Sequence, residues 1–206
     1  MTINFVLIIV NKMDTAQKIL NVIAKDFFTT HTATSLAEQL NMSRWGVWKI
    51  LKKLEREELI LIKPTGKGKT STHTVYLILD NLLAEKTVIL ALAREASAYE
   101  RWKFTFADLE PEVDFLILHG SILHSPKTAG DIDILSVANE KRLSKISKLV
   151  FAIQKTQEKK IHSHNLTPKE FFVELTKQNK VFLDALRRGI VLFGQDNFIQ
   201  FIKRLQ

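Results

Sequence analysis

The stretch HGSILHSPKTAGDIDIL, residues 119–135, constrains this chain more than any other. A Gly-Ser pair, Gly120 and Ser121, closes one apolar run; after nine intervening residues, Asp131 and Asp133 flank Ile132 and open another. Side chains on a strand alternate, so the two aspartates share one face while Ile132 and Ile134 share the other. Two carboxylates on one face of an apolar strand repel unless a cation lies between them. Hard oxygen ligands suit Mg2+, or Mn2+, with substrate phosphates completing the shell. Gly120 leaves room for a phosphate against the backbone. Ser121 can donate a hydrogen bond and begin a helix whose N-terminus attracts anions. These four residues together predict a metal–triphosphate site.

The flanking runs read as strands, VDFLILHGS before the turn and GDIDILSV after it. A later strand, KKIHSHNLT, brings His162 and His164 to the same half of the chain; TPKEFFVEL then reads as a helix after Pro168, carrying Glu170 and Glu174. His119, His124, His162 and His164 have no spacing that fixes a zinc site.

The first half has a different pattern. DTAQKILNVIAKDFF has apolar residues at helical spacing, with Asp14 or Thr15 as N-cap. TATSLAEQL predicts a second, short helix from about Thr34 to Leu40, NMS a tight turn, and Ser43 the next N-cap. The third helix, RWGVWKILKKLEREE, points Val47, Ile50 or Leu51, and Leu54 inward, and Arg44, Trp45, Trp48, Lys49, Lys52 and Lys53 outward. It holds five basic residues, and its acids, Glu55, Glu57 and Glu58, are confined to its last turn. A strand LILIKP, a basic turn TGKGKTST and a returning strand HTVYLIL complete the half. A cationic helix face fits a major groove, and Lys67 and Lys69 on the turn can reach the adjacent backbone. Trp45 and Trp48 either stack on sugars or bury against a second domain. Residues 81–101 predict a long connecting helix, apolar on most sides through Leu82, Leu83, Val88, Ile89, Leu92 and Ala96.

Composition narrows the classes. The chain has 206 residues, 46% of them hydrophobic, and a net charge of +8, so it can bury real cores and suits an anionic partner. It has no cysteine, which excludes disulfides and thiolate metal sites. The apolar run from Ile3 to Asn11 is too short to cross a bilayer and lacks the marks of a signal peptide. It reads as a packed N-terminal strand, or as an extension upstream of a start at Met13. No membrane association is expected, and the chain reads as cytoplasmic.

TATSLAEQLNMSRWGVWKILKKLEREELI resembles the winged helix-turn-helix regulators of the MarR or ArsR kind over roughly residues 13–80. Glu58 stands where such sequences often have glycine before the leucine. The resemblance implies duplex DNA as partner and a homodimer. The Gly-Ser…Asp-Ile-Asp segment resembles the polymerase-beta-like nucleotidyltransferases, above all the minimal ones, over roughly residues 98–206; RRGIVLFG is similar to their helix-to-strand tail. That resemblance implies that Asp131 and Asp133 hold two divalent ions and act in catalysis, and that Gly120 and Ser121 hold the phosphates of ATP or another nucleotide. It also implies a HEPN-type toxin as a possible partner. The chain departs from that family in three respects, one being a Gly-Ser-to-Asp spacer one residue shorter than the commonest length there. ILHSPKTAG lacks the arginine that follows the Gly-Ser pair there, and no acid stands on the later strand, leaving Glu170, Glu174 or a histidine to substitute.

The expected architecture is therefore an α+β, or α/β, two-domain chain. Residues 1–12 form an extension or strand, 13–80 a winged helix, 81–101 a connecting helix, and 102–206 a nucleotidyltransferase-like mixed sheet with helices. The leading function is transfer of a nucleotide, AMP from ATP by the resemblance, to a hydroxyl on a protein or nucleic acid. The alternative is a DNA-binding regulator, or antitoxin-like protein, with an inactive nucleotidyltransferase fold.

Overall fold

The computed structural model describes residues 13–66 and 72–205. The expected N-terminal strand, Lys67 and Lys69 lie outside the described residues. The chain forms two compact units, one ending at Arg94 and joined by the residues from Ile202 onward, the other spanning Glu95–Phe201.

In the first unit, α1 (Thr15–Lys25) starts at Asp14, whose side chain accepts from the Gln17 N–H while Gln17 reaches back to the Asp14 N–H. Such a capping box satisfies two N–H groups that the helix itself leaves unpaired. A two-residue strand, β1 (His31–Thr32), precedes α2 (Ala33–Leu40). Thr32 caps α2, and Asn41 closes it in the left-handed conformation at φ 51°. Ser43 then caps α3 (Arg44–Arg56) through the Gly46 N–H at 3.1 Å. The inward stripe of α3 is Val47, Leu51 and Leu54, packed in a core with Ile19, Leu20, Ile23 and Leu36. The hairpin β2 (Ile60–Thr65) and β3 (Thr72–Leu77) runs in register from Ile60↔Leu77 to Thr65↔Thr72. β3 also pairs with β1, giving the sheet order β1-β3-β2. Helix, strand, helix, helix and hairpin in this order are winged-helix topology.

Helix α4 (Leu82–Ser97) crosses the boundary between the units. The sequence pattern makes it apolar on most sides; instead Leu82 and Leu83 are exposed and Ala84, Val88, Ala91, Leu92 and Ala96 form one buried stripe. Small alanines thus carry the packing face, and the helix stops at Ser97 rather than 101. A short α5 (Glu100–Thr105) follows.

The second unit is built on β4 (Phe115–His119), β5 (Asp131–Val137), β6 (Lys160–Leu166) and β7 (Ile190–Phe193), in the order β6-β5-β4-β7. β4 is antiparallel to β5 and β7, and β5 is parallel to β6, so the sheet is mixed. The parallel pair needs a crossover, which α6 (Glu140–Gln154) supplies. One core gathers Leu116, Leu118, Ile132, Ile134 and Ile161 with Trp102, Phe106, Ile146 and Val150. α7 (Pro168–Thr176), α8 (Lys180–Arg188) and α9 (Gln195–Lys203) complete the unit's helices. Phe115 of β4 contacts Phe171, Phe198 and Phe201 from α7 and α9. Alternation places Phe115 on the same face of the sheet as His119 and the two aspartates. RRGIVLFG spans the end of α8 and β7, as its pattern suggests.

Candidate functional site

Strand register assembles the first site. His119 lies opposite Asp133 across the antiparallel pair, and His162 lies opposite Asp133 across the parallel one. Directly paired residues share a face, so three neighbouring strands present His119, Asp133 and His162 in one row, with Asp131 beside them. His162 Nδ1 is 3.3 Å from Asp131 Oδ2 and 3.5 Å from Asp133 Oδ1. Among the described residues these three form the only His/Asp/Glu cluster able to close on an ion, with donor atoms within 4.8 Å of one another.

Gly120 leaves room for the rotamer of Asp133. It adopts φ 83° and ψ −166°, and a β-carbon there would lie 2.2 Å from Asp133 Oδ2. The carboxylate therefore packs where only glycine leaves space, and its Oδ1 is turned toward His162. Ser121 is exposed and begins only a three-residue 3-10 turn, Ser121–Leu123, not the helix expected from the sequence. A single turn aligns too few peptide dipoles to act as an anion-binding helix N-terminus.

His119 is 8% exposed, and its Nε2 has no hydrogen-bond partner among the described residues. Burial pushes its pKa below the ordinary imidazole value, Asp133 pulls it partly back, and His164 pushes it further down. His164 packs its ring edge-on to Phe182, 5.4 Å between centroids. His124 is exposed on the turn before β5 and is not part of the cluster.

Neither glutamate supplies the missing acid. Glu170 accepts from the Thr167 N–H at 2.7 Å and the Thr167 hydroxyl at 2.8 Å, closing the capping box of α7. Glu174 accepts from Asn179 Nδ2 at 2.7 Å. Both are occupied with local caps, and these bonds hold both carboxyls below the ordinary range. The position across from Asp133 belongs to His162, which on sequence grounds reads better as an ordinary structural histidine. The donor set of two carboxylates and one imidazole suits one cation; it lacks the third carboxylate of a two-Mg2+ arrangement.

The second site is the exposed face of α3. Arg44, Trp45, Lys49, Lys52 and Lys53 are solvent-exposed, Trp45 at 68%. Lys52 pairs with Glu55, and Lys53 with Glu57 at 3.8 Å. Arg44 and Lys49 have no carboxylate partner among the described residues. Trp48 departs from the outward reading: it is half-buried, edge-on to His73 of β3 at 5.3 Å, with the Lys52 ammonium 5.7 Å above its ring. Its role is to pin α3 to the hairpin. Arg44, Trp45 and Trp48 line a cavity of about 510 Å³ with Thr34, Thr72 and His73. The sequence carries no sign of that cavity, because its walls come from several separate elements.

No family model matches the chain, and no curated protein matches it. Among solved structures the chain is similar to ZitR of Lactococcus lactis, a zinc-responsive MarR family member, with 21% identity over 70% of this chain and 76% of that one, TM-score 0.32. It is likewise similar to a cysteine-to-serine mutant of ZitR, with 19% identity over 70% and 78%, TM-score 0.32. No helix among the described residues is long and apolar enough to cross a membrane.

Proposed function

We propose that this chain is a DNA-binding regulator whose second unit is a nucleotidyltransferase-like fold that binds rather than transfers. The observation that carries the reading is the exposed cationic start of α3, where Arg44 and Lys49 have no carboxylate partner among the described residues, on a helix whose other side is locked into the core. A helix held in this way can enter a major groove, with its cations neutralising phosphates and releasing counterions. The regulator is a homodimer in this reading, since two-fold DNA sites reward two-fold proteins. Fluorescence anisotropy with duplex DNA over several salt concentrations tests it. The wild type should bind with steep salt dependence, and Arg44→Ala with Lys49→Ala should weaken binding across sequences. Equal binding by the double variant at every salt concentration would remove the assignment.

A second reading, nucleotide transfer to a protein or nucleic-acid hydroxyl, is favoured by one observation: the close packing of Asp133 on Gly120 beside Asp131. In that reading Gly120 and Ser121 hold the phosphates of ATP or another nucleotide, Asp131 and Asp133 hold Mg2+ or Mn2+, and a HEPN-type toxin is a candidate partner. The metal would supply charge neutralisation at the phosphates. Asp131 and Asp133 would orient it, and Gly120 would leave the space that the Asp133 carboxylate occupies. The absence of an acid across from Asp133 weighs against turnover. Incubation with labelled ATP and Mg2+ or Mn2+ separates the two readings: label transferred to any acceptor supports the second, and binding without transfer supports the first.

A further inference from the structure

We propose that Asp131, Asp133 and His162 hold one nitrogen-accepting divalent ion of the Zn2+ and Co2+ class in preference to Mg2+. The inference rests on the reading of this face as a cation site and concerns which ion it selects. Mg2+ prefers oxygen donors in a near-ideal octahedron at about 2.0–2.1 Å, whose adjacent ligands stand about 2.8–3.0 Å apart. Zn2+ takes imidazole nitrogen and carboxylate oxygen in a tetrahedron at about 2.0–2.2 Å, whose edges are about 3.3–3.6 Å long. The two edges from His162 Nδ1 are 3.3 Å to Asp131 Oδ2 and 3.5 Å to Asp133 Oδ1. Both fall in the tetrahedral range and outside the octahedral one, and all three donor atoms lie within 4.8 Å of one another.

Four further features agree. Imidazole favours the later first-row ions over Mg2+. Gly120 leaves room for the Asp133 carboxylate, whose Oδ1 lies 3.5 Å from His162 Nδ1. All three ligand side chains are partly exposed, which leaves the fourth position open to water or to an anionic ligand. Among the described residues no third carboxylate joins the cluster, and Glu170 and Glu174 are engaged at Thr167 and Asn179.

The test uses the full chain, stripped of metal with a chelator and titrated with Co2+ while its visible absorption is followed. The wild type should give the intense d–d bands of a tetrahedral centre at one equivalent. Equimolar Zn2+ should abolish them, and a thousandfold excess of Mg2+ should not. His162→Ala and His162→Gln should each weaken Co2+ binding at least about tenfold, the scale reached even by outer-shell changes, with unchanged circular dichroism. His162 is partly exposed, so both variants should fold. His124→Ala, on an exposed turn, should leave the titration unchanged. Displacement of Co2+ by Mg2+ at comparable concentration overturns the inference while leaving a cation site in place. Unchanged Co2+ binding in both His162 variants overturns it as well. A wild-type chain that binds none of these ions removes the inference and the cation site together.

Discussion

Gly120→Ala tests whether the turn after β4 is built around Asp133. The native φ of 83° with ψ of −166° lies in a region essentially reserved for glycine, and a side chain there costs about 1–3 kcal/mol in backbone strain alone. The new β-carbon would also stand 2.2 Å from Asp133 Oδ2, 3.2 Å from its Cγ and 3.3 Å from its Cβ, so the carboxylate must rotate away. Leaving its rotamer well costs about 0.5–1.5 kcal/mol. The contact with His162 is solvent-screened and contributes no more than about 1 kcal/mol. The substitution is thus expected to cost about 1.5–5.5 kcal/mol in total. In an Asp133→Ala background Oδ2 and Cγ are gone, and only the backbone cost of about 1–3 kcal/mol remains. The coupling between the two positions is the difference, about 0.5–2.5 kcal/mol. Calorimetry on the four proteins of the cycle reads it directly. At about 2–4 °C per kcal/mol for a chain of this size, the double variant should melt about 1–10 °C above the additive expectation. An additive cycle, or a Gly120→Ala protein as stable as the wild type, would refute the close approach.

On α3, Lys49→Ala should reduce the salt dependence of DNA binding by about 0.9 in log–log slope. Lys52→Ala or Lys53→Ala should reduce it less, because Glu55 and Glu57 already offset those cations; equal effects in salt titrations would contradict this ranking. Glu58 sits at φ 58° after the end of α3, where an L-residue costs about 1–2 kcal/mol. Glu58→Gly should therefore stabilise the chain by up to about 1 kcal/mol after glycine's entropic cost, seen as a raised melting temperature. Glu170 has its carboxyl held below the ordinary 4.5, first by the Thr167 backbone N–H and then by its hydroxyl. A lowered folded pKa gives stability that is complete above the unfolded value and lost as pH falls through the folded one. Acid melting curves below about pH 4.5 should accordingly be steeper for wild type than for Glu170→Gln, and identical curves would reject the contribution of this cap.

Local rules made the first unit readable. Asp14 and Ser43 announce helix starts because a short polar side chain meets an unpaired N–H at fixed spacing. Glu58, where glycine is usual, does adopt the left-handed conformation that explains the usual glycine. What stayed hidden depends on tertiary partners. β1 has two residues, too few for a pattern, and exists because β3 offers His31 and Thr32 a ladder. Trp48 has outward helical phase, yet His73, twenty-five residues later, covers it. The apolar ends of α4 suggested burial all round, but periodicity cannot say where the neighbouring surface stops. In the second unit the shared face of Asp131 and Asp133 follows from alternation alone. Their company does not: strand order and register decide that His119 and His162, rather than His124 or a glutamate, stand beside them.

His162→Asp tests whether the proposed cation face is one substitution from an enzyme. The change replaces an imidazole with a third carboxylate across from Asp133, so Mg2+ affinity should rise and the preference for Zn2+ and Co2+ should narrow. Transfer demands more than the metals. Charge that builds on the phosphates must meet donors already in place, and a guanidinium does this through a rigid fork, whereas an ammonium is a single flexible point charge. Residues 122–130 contain no arginine; their one cation, Lys127, is exposed on the turn before β5. The variant is therefore expected to bind Mg2+ and nucleotide more tightly than wild type, by calorimetry, yet to transfer no label from ATP. If His162→Asp transfers AMP, the residue at position 162 is the whole difference, and the second unit is a transferase disabled at one side chain rather than a binding fold.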